Sequence, residues 1–575
     1  MRSKAWTRRR FLLAVPAAAA AACTASVTGV LGPPDGGSDG GSDAGDGDLD
    51  AGGFDAGPRD AGPLDAGSDA GADAGAETQV CAANFPRLDL KADCLAVGDG
   101  QTNDTQAFRT AAQKIQQAGG GELTIPPGVY IVGNQTPKQR STDPGPYYKD
   151  DDIFTVNGVA CLKVSGYGAT LRVKAGLHYG GFNPSSGAPQ DYTSGTDNEA
   201  KVGRILNINR CSNVVVEGLE IDGSNESLIL GGQWGNVDRQ AAATGVLFNE
   251  CDNVSVIDVH THHHGLDGIA VEYQNGAPPR RMPHTLTRVT SEYNGRQGIS
   301  WIGGWGLTCI DCKFNHTGRA MNAGAPMKSR PSDGIDIEPN AGTTQKSREG
   351  LFTRCEFINN AGNGVESAAG DGGYSTFDDC TIWGTTRYSI WVTNPGVKFT
   401  NCRIYGTVVH GCDGHTASSP SPNPALATQF EGCTFEDLPW TDGSVYRNGA
   451  LYNLSEGGDG MSWKDCTFIT HQVRAVDIGN AATTERFEGC TFIHGYTGLA
   501  SGSFQSRFTG CALKSCHFEE SSAVAAGSSH YDIALNTVTV AAPSAGAPAT
   551  HVDGPKVKWG STTGPTGDIA PGSYG

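Results

Sequence analysis

A short motif recurs seven times in the second half of the chain and constrains its fold more than any other feature of the sequence. Each copy reads aromatic-x-x-Cys-x-apolar, and the aromatic residues are Phe352, Phe377, Phe399, Phe430, Trp463, Phe487 and Phe508. The matching cysteines are Cys355, Cys380, Cys402, Cys433, Cys466, Cys490 and Cys511. Copies that begin about 21 to 33 residues apart are typical of units that stack into a solenoid. We therefore predict one solenoid domain over residues 80–540, followed by a loosely packed tail over residues 541–575.

The alternation of residue types within each copy predicts which side chains of its strands face the interior. The cysteine and the apolar residue two positions later lie on the same side of a strand, and both are expected to point inward. Side chains stacked in successive coils run parallel to one another, so we expect free buried thiols along this ladder in place of disulfides. Cys309 and Cys312 share the register of the ladder and are expected to be structural. Two local disulfides remain open as alternatives, Cys81–Cys94 and Cys402–Cys412.

A helix and two strands are predicted near the start of the ordered chain. Apolar residues recur at helical spacing between Phe108 and Ala118, and the glycine run from Gly119 ends the helix. Residues 122–132 alternate and are β-branched, as strands are. The whole block, NDTQAF…GGGELTIPPGVYIV, resembles the start of the pectate-lyase-like superfamily, in particular its rhamnogalacturonase/epimerase-like branch. That resemblance implies an all-β, right-handed parallel β-helix with an N-terminal capping α-helix.

The first 23 residues carry the pattern of an export signal. The segment Thr7-Arg8-Arg9-Arg10-Phe11-Leu12 resembles a twin-arginine signal. The alanine-rich run that follows ends in Ala20-Ala21-Ala22-Cys23, which resembles the processing box of bacterial lipoproteins. This resemblance implies lipidation of Cys23 and an anchor to the bacterial envelope, as in a cell-surface or outer-membrane lipoprotein. The alternative is plain cleavage after an Ala-x-Ala site, which would make the protein secreted.

Residues 24–79 have a composition that differs from the rest of the chain. They consist largely of Gly, Asp, Ala, Ser and Pro, with a recurring Asp-Ala-Gly triplet. Because almost nothing in this segment can be buried, we predict a disordered stalk that is extended by the repulsion of its charges. The formal net charge of the whole chain is -19, and no long basic run occurs, so nucleic acid is not expected as a partner.

Five glycine- or serine-led segments place acidic residues in one column. They begin at Gly268, Gly298, Gly334, Gly364 and Ser389, and the next residue of each is Ile or Val, which we expect inside. The following residues are then expected outside, in one column of Ala270, Ser300, Asp336, Glu366 and Trp391. The residues before the four glycines that continue this pattern, Asp267, Gln297, Asp333 and Asn363, are expected to line the edge of the column. Neighbouring coils lie about 4.8 Å apart, so Asp336 and Glu366 are predicted to share a wall with Asp333 and Glu338.

Carboxylates held this close raise one another's pKa, which acid–base work at a glycosidic bond requires. We therefore predict a polysaccharide hydrolase with a sugar platform at Trp391 and with four catalytic residues, Asp333, Asp336, Glu338 and Glu366. The strand from Ser332 also resembles the Asn-Thr-Asp-Gly-Ile-Asp strand of polygalacturonases, which implies catalysis by Asp333. The next segment, Asn363-Gly364-Val365-Glu366, departs from that family's pattern. A calcium site and a merely solvated acidic surface are the alternatives for this wall.

Histidines, basic residues and one aspartate occupy segments beside this wall, and we predict that they bind the substrate. They are His262, His264 and Asp267 in the preceding coil, and His316, Arg319, Lys328 and Arg330 in the loop before Asp333. A polyuronate lyase or epimerase would instead use such a set as a base and to neutralise a carboxylate, with calcium as a cofactor. Metal binding and turn formation are the alternatives for the histidine run. A third function, from another class, is a non-catalytic glycan-binding or envelope-structural protein.

Overall fold

Each coil of the chain contributes three short strands, and successive coils stack in parallel. In the computed structural model, the described residues are 81–139, 146–149, 151–183, 186–190, 198–232, 235–236, 239–273, 281–340, 345–368, 370–383, 388–405, 409–416, 419, 421–438, 452–453, 460–471, 474–478, 485–495, 504–508, 511–521, 529–533, 539–541, 551–553, 556–559 and 567–569. The predicted signal with Cys23, the predicted stalk and most of the predicted tail lie outside the described residues. The fold is an all-β, right-handed parallel β-helix, as predicted.

One side of the solenoid is a parallel sheet of nine strands, which we call the site sheet. Its strands are Phe154–Asn157, Leu206–Asn209, Val246–Asn249, Asp267–Glu272, Gln297–Trp301, Asp333–Ile337, Val365–Ser367, Ile390–Val392 and Val409–His410. After residue 438, the strand of each coil that corresponds to the site sheet belongs instead to a six-stranded sheet. Its strands are Tyr452–Asn453, Arg474–Ile478, Phe504–Phe508, Ser529–Ile533, Lys556–Trp559 and Gly567–Ile569.

The other two sides belong to one sheet of thirty strands, which we call the long sheet. Its strands are Arg87–Asp89, Asp99–Asn103, Gly121–Thr124, Gly128–Val132, Leu162–Val173, Ser212–Asp222, Asp252–Ile257, His260–His262, Arg281–Thr287, Thr290–Glu292, Gly304–Ile310, Lys313–Asn315, Lys346–Arg348, Leu351–Thr353, Glu356–Ile358, Asp371–Gly373, Thr376–Asp378, Thr381–Trp383, Lys398–Thr400, Arg403–Tyr405, Gln429–Glu431, Thr434–Glu436, Ser462–Lys464, Thr467–Thr470, Arg486–Glu488, Thr491–His494, Ala512–Lys514, His517–Glu520, Thr539–Ala541 and His551–Asp553.

Small elements decorate the loops between these sides. They are a three-stranded sheet of His178–Gly181, Glu199–Ala200 and Ile229–Leu230, a 3-10 turn at Asn225–Ser227, and three hairpins formed by Thr136–Gln139 with Pro146–Lys149, Gly235–Asn236 with Arg239–Gln240, and Met321–Asn322 with Ala325–Pro326.

Two helices precede the first full coil, at Leu90–Cys94 and Thr105–Ala118. The longer helix buries its apolar face, including Phe108 and Ile115, against the end of the solenoid. It ends at Gly119, whose φ of 76° is accessible to glycine at little cost. The predicted capping helix is therefore confirmed. Neither described helix has the length and hydropathy of a membrane-spanning segment.

Aromatic rings and cysteines fill the interior of the long sheet in regular columns. Phe352, Phe377, Phe399, Phe430, Trp463 and Phe487 occupy successive strands in register. Their neighbouring rings are stacked, with centroids 4.2 to 5.6 Å apart. The residue before each of their cysteines turns the chain through a positive φ, as Arg354 does at 51°. This one-residue corner explains why aromatic and cysteine recur at a fixed spacing while the loops between copies vary in length.

The prediction that the seventh copy of the motif, from Phe508 to Cys511, continues the column of aromatic residues is wrong. Phe508 lies in the six-stranded sheet, and the residue in register with Phe487 is Leu513. The corresponding corner and cysteine are Ser515 and Cys516. The sequence pattern selected Phe508 because it repeats the same spacing to Cys511, whereas an aliphatic residue fills the aromatic column in this coil.

The predicted free thiols of the ladder are confirmed, but the disulfide near the N-terminus differs from the predicted alternatives. Cys81 is bonded to Cys161, 80 residues away, while Cys94 is a free buried thiol. Cys402 and Cys412 are likewise free and buried. A bridge between distant residues joins the segment before the helices to the first full coil, which spacing along the chain does not reveal.

Candidate active site

The register of the site sheet places the predicted residues in one column. Ser300 pairs with Asp336, Asp336 pairs with Glu366, and Glu366 pairs with Trp391 on adjacent parallel strands. The residues one position earlier, Ile299, Ile335, Val365 and Ile390, are fully buried in the core. Because side chains alternate along a strand, Asp336 and Glu366 point away from that core on a shared wall. The predicted register is confirmed.

Amide side chains hold the carboxylates of this wall. Gln297 donates from Nε2 to Asp336 Oδ2 at 2.6 Å, and its Oε1 accepts the backbone N–H of Asp333 at 3.2 Å. Asn363 donates its backbone N–H to Asp333 Oδ1 and its Nδ2 to Glu366 Oε2, the latter at 2.6 Å. The sequence predicts that Gln297, Asp333 and Asn363 lie along one edge of the column. In the structure, the hydrogen bonds of this edge position three carboxylates.

The two aspartates of the wall are covered, so a fully solvated acidic surface does not describe them. Asp333 and Asp336 are buried, at 0% and 4% exposure, whereas Glu366 is half-buried and Glu338 is exposed. Every residue of the strand Asp333–Ile337 is buried, so its outer face is shielded as well as its inner face. Among the described residues, no N–H or hydroxyl donor reaches Asp333 Oδ2 or Asp336 Oδ1, and instead Asp333 is hydrogen-bonded to Glu366 and Asp336 to Glu338. The wall therefore passes from buried to accessible across a few side chains.

Burial and mutual repulsion raise the proton affinity of three of these groups. Burial, followed by the charge of Glu366, raises the pKa of Asp333 well above its usual range. Burial, followed by Glu338 and Glu366, does the same to the pKa of Asp336. Loss of hydration and the charge of Glu366 also raise the pKa of Glu338. Three carboxyl groups with raised pKa values thus lie beside Glu366, an arrangement suited to general acid–base chemistry.

A buried cation borders the wall, and the sequence did not reveal it. Arg296 donates to both oxygens of Asp267, with its Nε 2.6 Å from Oδ1. Although burial opposes the charged form, Asp267, with help from Asp336 and Glu272, raises the pKa of Arg296. Asp267, predicted to bind substrate, is thereby engaged in a buried ion pair. Arg296 directly precedes Gln297, so extending the predicted edge by one residue would have found it.

An aromatic surface continues the column beyond the carboxylates. Trp391 is half-buried, and its ring stacks on His410 with centroids 4.1 Å apart. Tyr388 lies at its side, 4.6 Å between centroids. Trp391 and His410 are in register on neighbouring strands, so the segment Val409–His410 extends the same wall. The sequence alignment stopped one coil short of His410.

The predicted basic loop reaches the turn that precedes the wall. Arg319 donates from Nε and Nη2 to the carbonyl oxygens of Asn359 and Asn360, at 3.1 and 3.3 Å. These contacts anchor the loop just before Asn363. His316 stacks on Tyr293 at 4.7 Å, and Lys328 and Arg330 are exposed.

The two predicted histidines of the preceding coil lie away from the site sheet. His262 belongs to the strand His260–His262 of the long sheet, beside Asp222 and Glu220. His264 is buried and lies 2.9 Å from Thr261 Oγ1 through its Nε2. Burial lowers the pKa of His264 to about 3, so its ring is neutral and packs as a core residue.

Comparison with known proteins supports the fold. Residues 196–450 match the family described as a right-handed beta helix region. No curated protein matches the sequence. Among solved structures, the A-module of the Azotobacter vinelandii mannuronan C-5 epimerase AlgE4 is similar over 83% of this chain and 100% of its own, with 10% identity and a TM-score of 0.34.

Two further solved structures are similar at the same level. The tailspike protein gp49 of the Acinetobacter baumannii bacteriophage Fri1, a capsular polysaccharide depolymerase, covers 80% of this chain and 64% of its own, with 12% identity and a TM-score of 0.31. The catalytic unit of a GH87 alpha-1,3-glucanase from Streptomyces thermodiastaticus covers 84% and 70%, with 13% identity and a TM-score of 0.25. At these identities and TM-scores, the likenesses assign no activity to the chain.

Proposed function

We propose that the chain is a carbohydrate-active β-helix protein that hydrolyses glycosidic bonds of a polysaccharide at the carboxylate wall. The observation that carries this proposal is the set Asp333, Asp336, Glu338 and Glu366, brought together by two adjacent strands, with three raised pKa values and hydrogen bonds between the carboxyls. The equivalent positions of the two preceding coils hold Ser300 and Ala270, so the fold does not require a carboxyl at this column. Hydrolysis of a glycosidic bond needs an acid and a base of this kind.

Accessibility divides the roles among the four groups. Glu338 reaches solvent and its pKa is raised, so it is the proposed acid that protonates the leaving oxygen. Glu366 is half-buried and oriented by Asn363, so it is the proposed base or nucleophile. Asp333 and Asp336 are buried beside them, and a hydrogen bond joins Asp336 to Glu338. Trp391, next in the column, would offer its ring to a sugar face.

The reaction class is tested with the full chain on a panel of polysaccharides. Reducing ends without ultraviolet absorbance are expected from hydrolysis, whereas a lyase would create absorbing unsaturated ends. Glu338→Gln and Glu366→Gln should each lower the rate by at least about 100-fold, the scale of general acid–base catalysis. The matched control is Glu356→Gln, since Glu356 is an outward residue of the long sheet paired with Lys313 at 3.1 Å. Glycan binding without either product would show a binding protein.

A polyuronate lyase or epimerase that uses calcium is the second candidate. Asp333 Oδ2 and Asp336 Oδ1, which no N–H or hydroxyl donor reaches, favour it, because hard cations take oxygen ligands and would neutralise a buried acidic cluster. In that case Lys328 or Arg330, which are exposed in the loop before Asp333, would neutralise a uronate carboxylate. Activity that requires added calcium and yields ultraviolet-absorbing unsaturated ends together with new reducing ends, or an epimerised product without chain cleavage, would replace hydrolysis with this chemistry. The export and anchoring expected from residues 1–23 would give either enzyme access to extracellular polysaccharide.

A further inference from the structure

A second polar cluster lies on the outer face of the long sheet, on different strands from the carboxylate wall. Glu220 pairs with His260, and Asp222 pairs with His262, on the neighbouring strands Ser212–Asp222 and His260–His262. His262 in turn pairs with Glu292 on the next strand. Because the register is parallel and the residues alternate, two imidazoles and three carboxylates share one patch of surface.

Three of these groups can meet a single ion. His262 Nε2 lies 3.3 Å from Glu220 Oε1, and the ligand atoms of Glu220, His260 and His262 all lie within 4.8 Å of one another. Bonds of about 2.0 to 2.2 Å in tetrahedral geometry put neighbouring ligand atoms roughly 3.3 Å apart. Small side-chain rotations therefore suffice to close the three groups around a metal ion.

A second set of contacts orients each of the three groups. Thr170 donates from Oγ1 to Glu220 Oε2 at 2.6 Å, which leaves Oε1 for a ligand. Glu292 Oε1 lies 3.0 Å from His260 Nε2, and His263 Nδ1 lies 2.7 Å from His262 Nδ1. Contacts of this kind fix the orientation of ligand side chains in metal sites.

Exposure fits an open site. The side chain of His262 is 11% exposed, while those of Glu220 and His260 are 41% and 42% exposed, so an ion can enter from solvent. Three protein ligands leave a coordination position for water or substrate.

We propose that Glu220, His260 and His262 bind a divalent transition metal of the zinc class. Two imidazoles with one carboxylate suit zinc, cobalt and nickel, whereas calcium and magnesium prefer sites made of oxygen alone. The second triad, Asp222, His262 and His263, shares His262 through its other nitrogen and would orient the site instead of binding the ion.

The test is metal binding by the purified full chain after treatment with a chelator. One Co²⁺ per chain should bind with the visible absorption of a tetrahedral site, and Zn²⁺ should displace it. His262→Ala and Glu220→Gln should each weaken Zn²⁺ binding by at least 10-fold, while His517→Ala should not. His517 is the matched control because its Nε2 lies 3.0 Å from Glu519, on a distant coil.

Three results would overturn the proposal. They are the absence of stoichiometric Co²⁺ or Zn²⁺ binding, equal binding by calcium, and unchanged affinity in both variants. Loss of binding in Asp222→Asn with retention in Glu220→Gln would also overturn it, because the ion would then belong to the second triad. Circular dichroism and thermal unfolding of each variant show whether a loss of metal binding comes from loss of fold.

Discussion

Replacing Asp336 by asparagine should make the protein more stable at mildly acidic and neutral pH. The Asp336 carboxyl is buried, and its pKa is raised well above the usual 3.8 by burial, then by Glu338 and Glu366. The folded state therefore binds a proton that the unfolded chain releases, so the stability contributed by this group is complete below pH 3.8. It is lost as pH rises toward the folded-state pKa.

The size of the effect follows from proton linkage. Each carboxyl that stays protonated only in the folded state costs about 1.4 kcal/mol of unfolding free energy per pH unit above 3.8. At pH 5, a little more than one unit higher, the Asp336→Asn variant should be more stable than the wild type by roughly 1 to 2 kcal/mol. Asparagine can still accept the hydrogen bond of Gln297, so the substitution removes the titrating carboxyl and keeps the contact.

The assay is urea unfolding of both proteins between pH 3 and pH 7. The two midpoints should coincide near pH 3 and separate with rising pH. Asp311→Asn is the control of opposite sign, because a hydrogen bond from Arg354 lowers the pKa of the exposed Asp311. Its stabilising contribution is present above the unfolded pKa, so that variant should lose stability at neutral pH. Parallel pH profiles for wild type and Asp336→Asn would refute the assignment of a buried, protonated acid.

Two further predictions concern the scaffold. Phe377→Ala removes a fully buried ring that is stacked between two others, and it should lower the free energy of unfolding by about 3 to 5 kcal/mol, measured in urea. Phe377→Leu fills more of the space and should cost less. Equal losses in the two variants would contradict ring packing as the cause. Opening the Cys81–Cys161 bridge, which spans 80 residues, with the double variant Cys81→Ser and Cys161→Ser should cost about 4.5 kcal/mol by loss of chain constraint, and an unfolding midpoint unchanged by the double substitution would show that the bridge does not form.

The register of the site sheet could be predicted because it follows from local alternation. A strand that starts at glycine and continues with Ile or Val fixes which residues face the core, and a parallel solenoid repeats this choice in every coil. This alternation alone was enough to predict that Asp336 pairs with Glu366 and that Glu366 pairs with Trp391. The aromatic ladder followed from the same alternation up to Phe487, and failed where Leu513 takes the aromatic position.

Burial on the outer face could not be predicted, because it depends on which distant segments cover it. The alternation of side chains along a strand predicts that Asp336 points away from the core, and an outward residue of a solenoid is exposed unless another segment covers it. The structure instead buries Asp336 and surrounds it with Gln297 and the Arg296–Asp267 ion pair. The disulfide partner of Cys81 could not be predicted for the same reason, since Cys161 is close to it only after the coil has formed.

The cost of the buried acids argues for their role. Positions equivalent to Asp336 in the two preceding coils hold Ser300 and Ala270, which are equally buried and carry no charge. The fold therefore does not require a carboxyl at this column, and the raised pKa values of Asp336 and Asp333 mean that both groups lower stability as pH rises above 3.8. A side chain that lowers stability where a smaller one fits is explained by what it does to a bound molecule. On this argument, variants that neutralise the wall should gain stability and lose turnover together, and a variant that gains stability with full turnover would separate the wall from the chemistry.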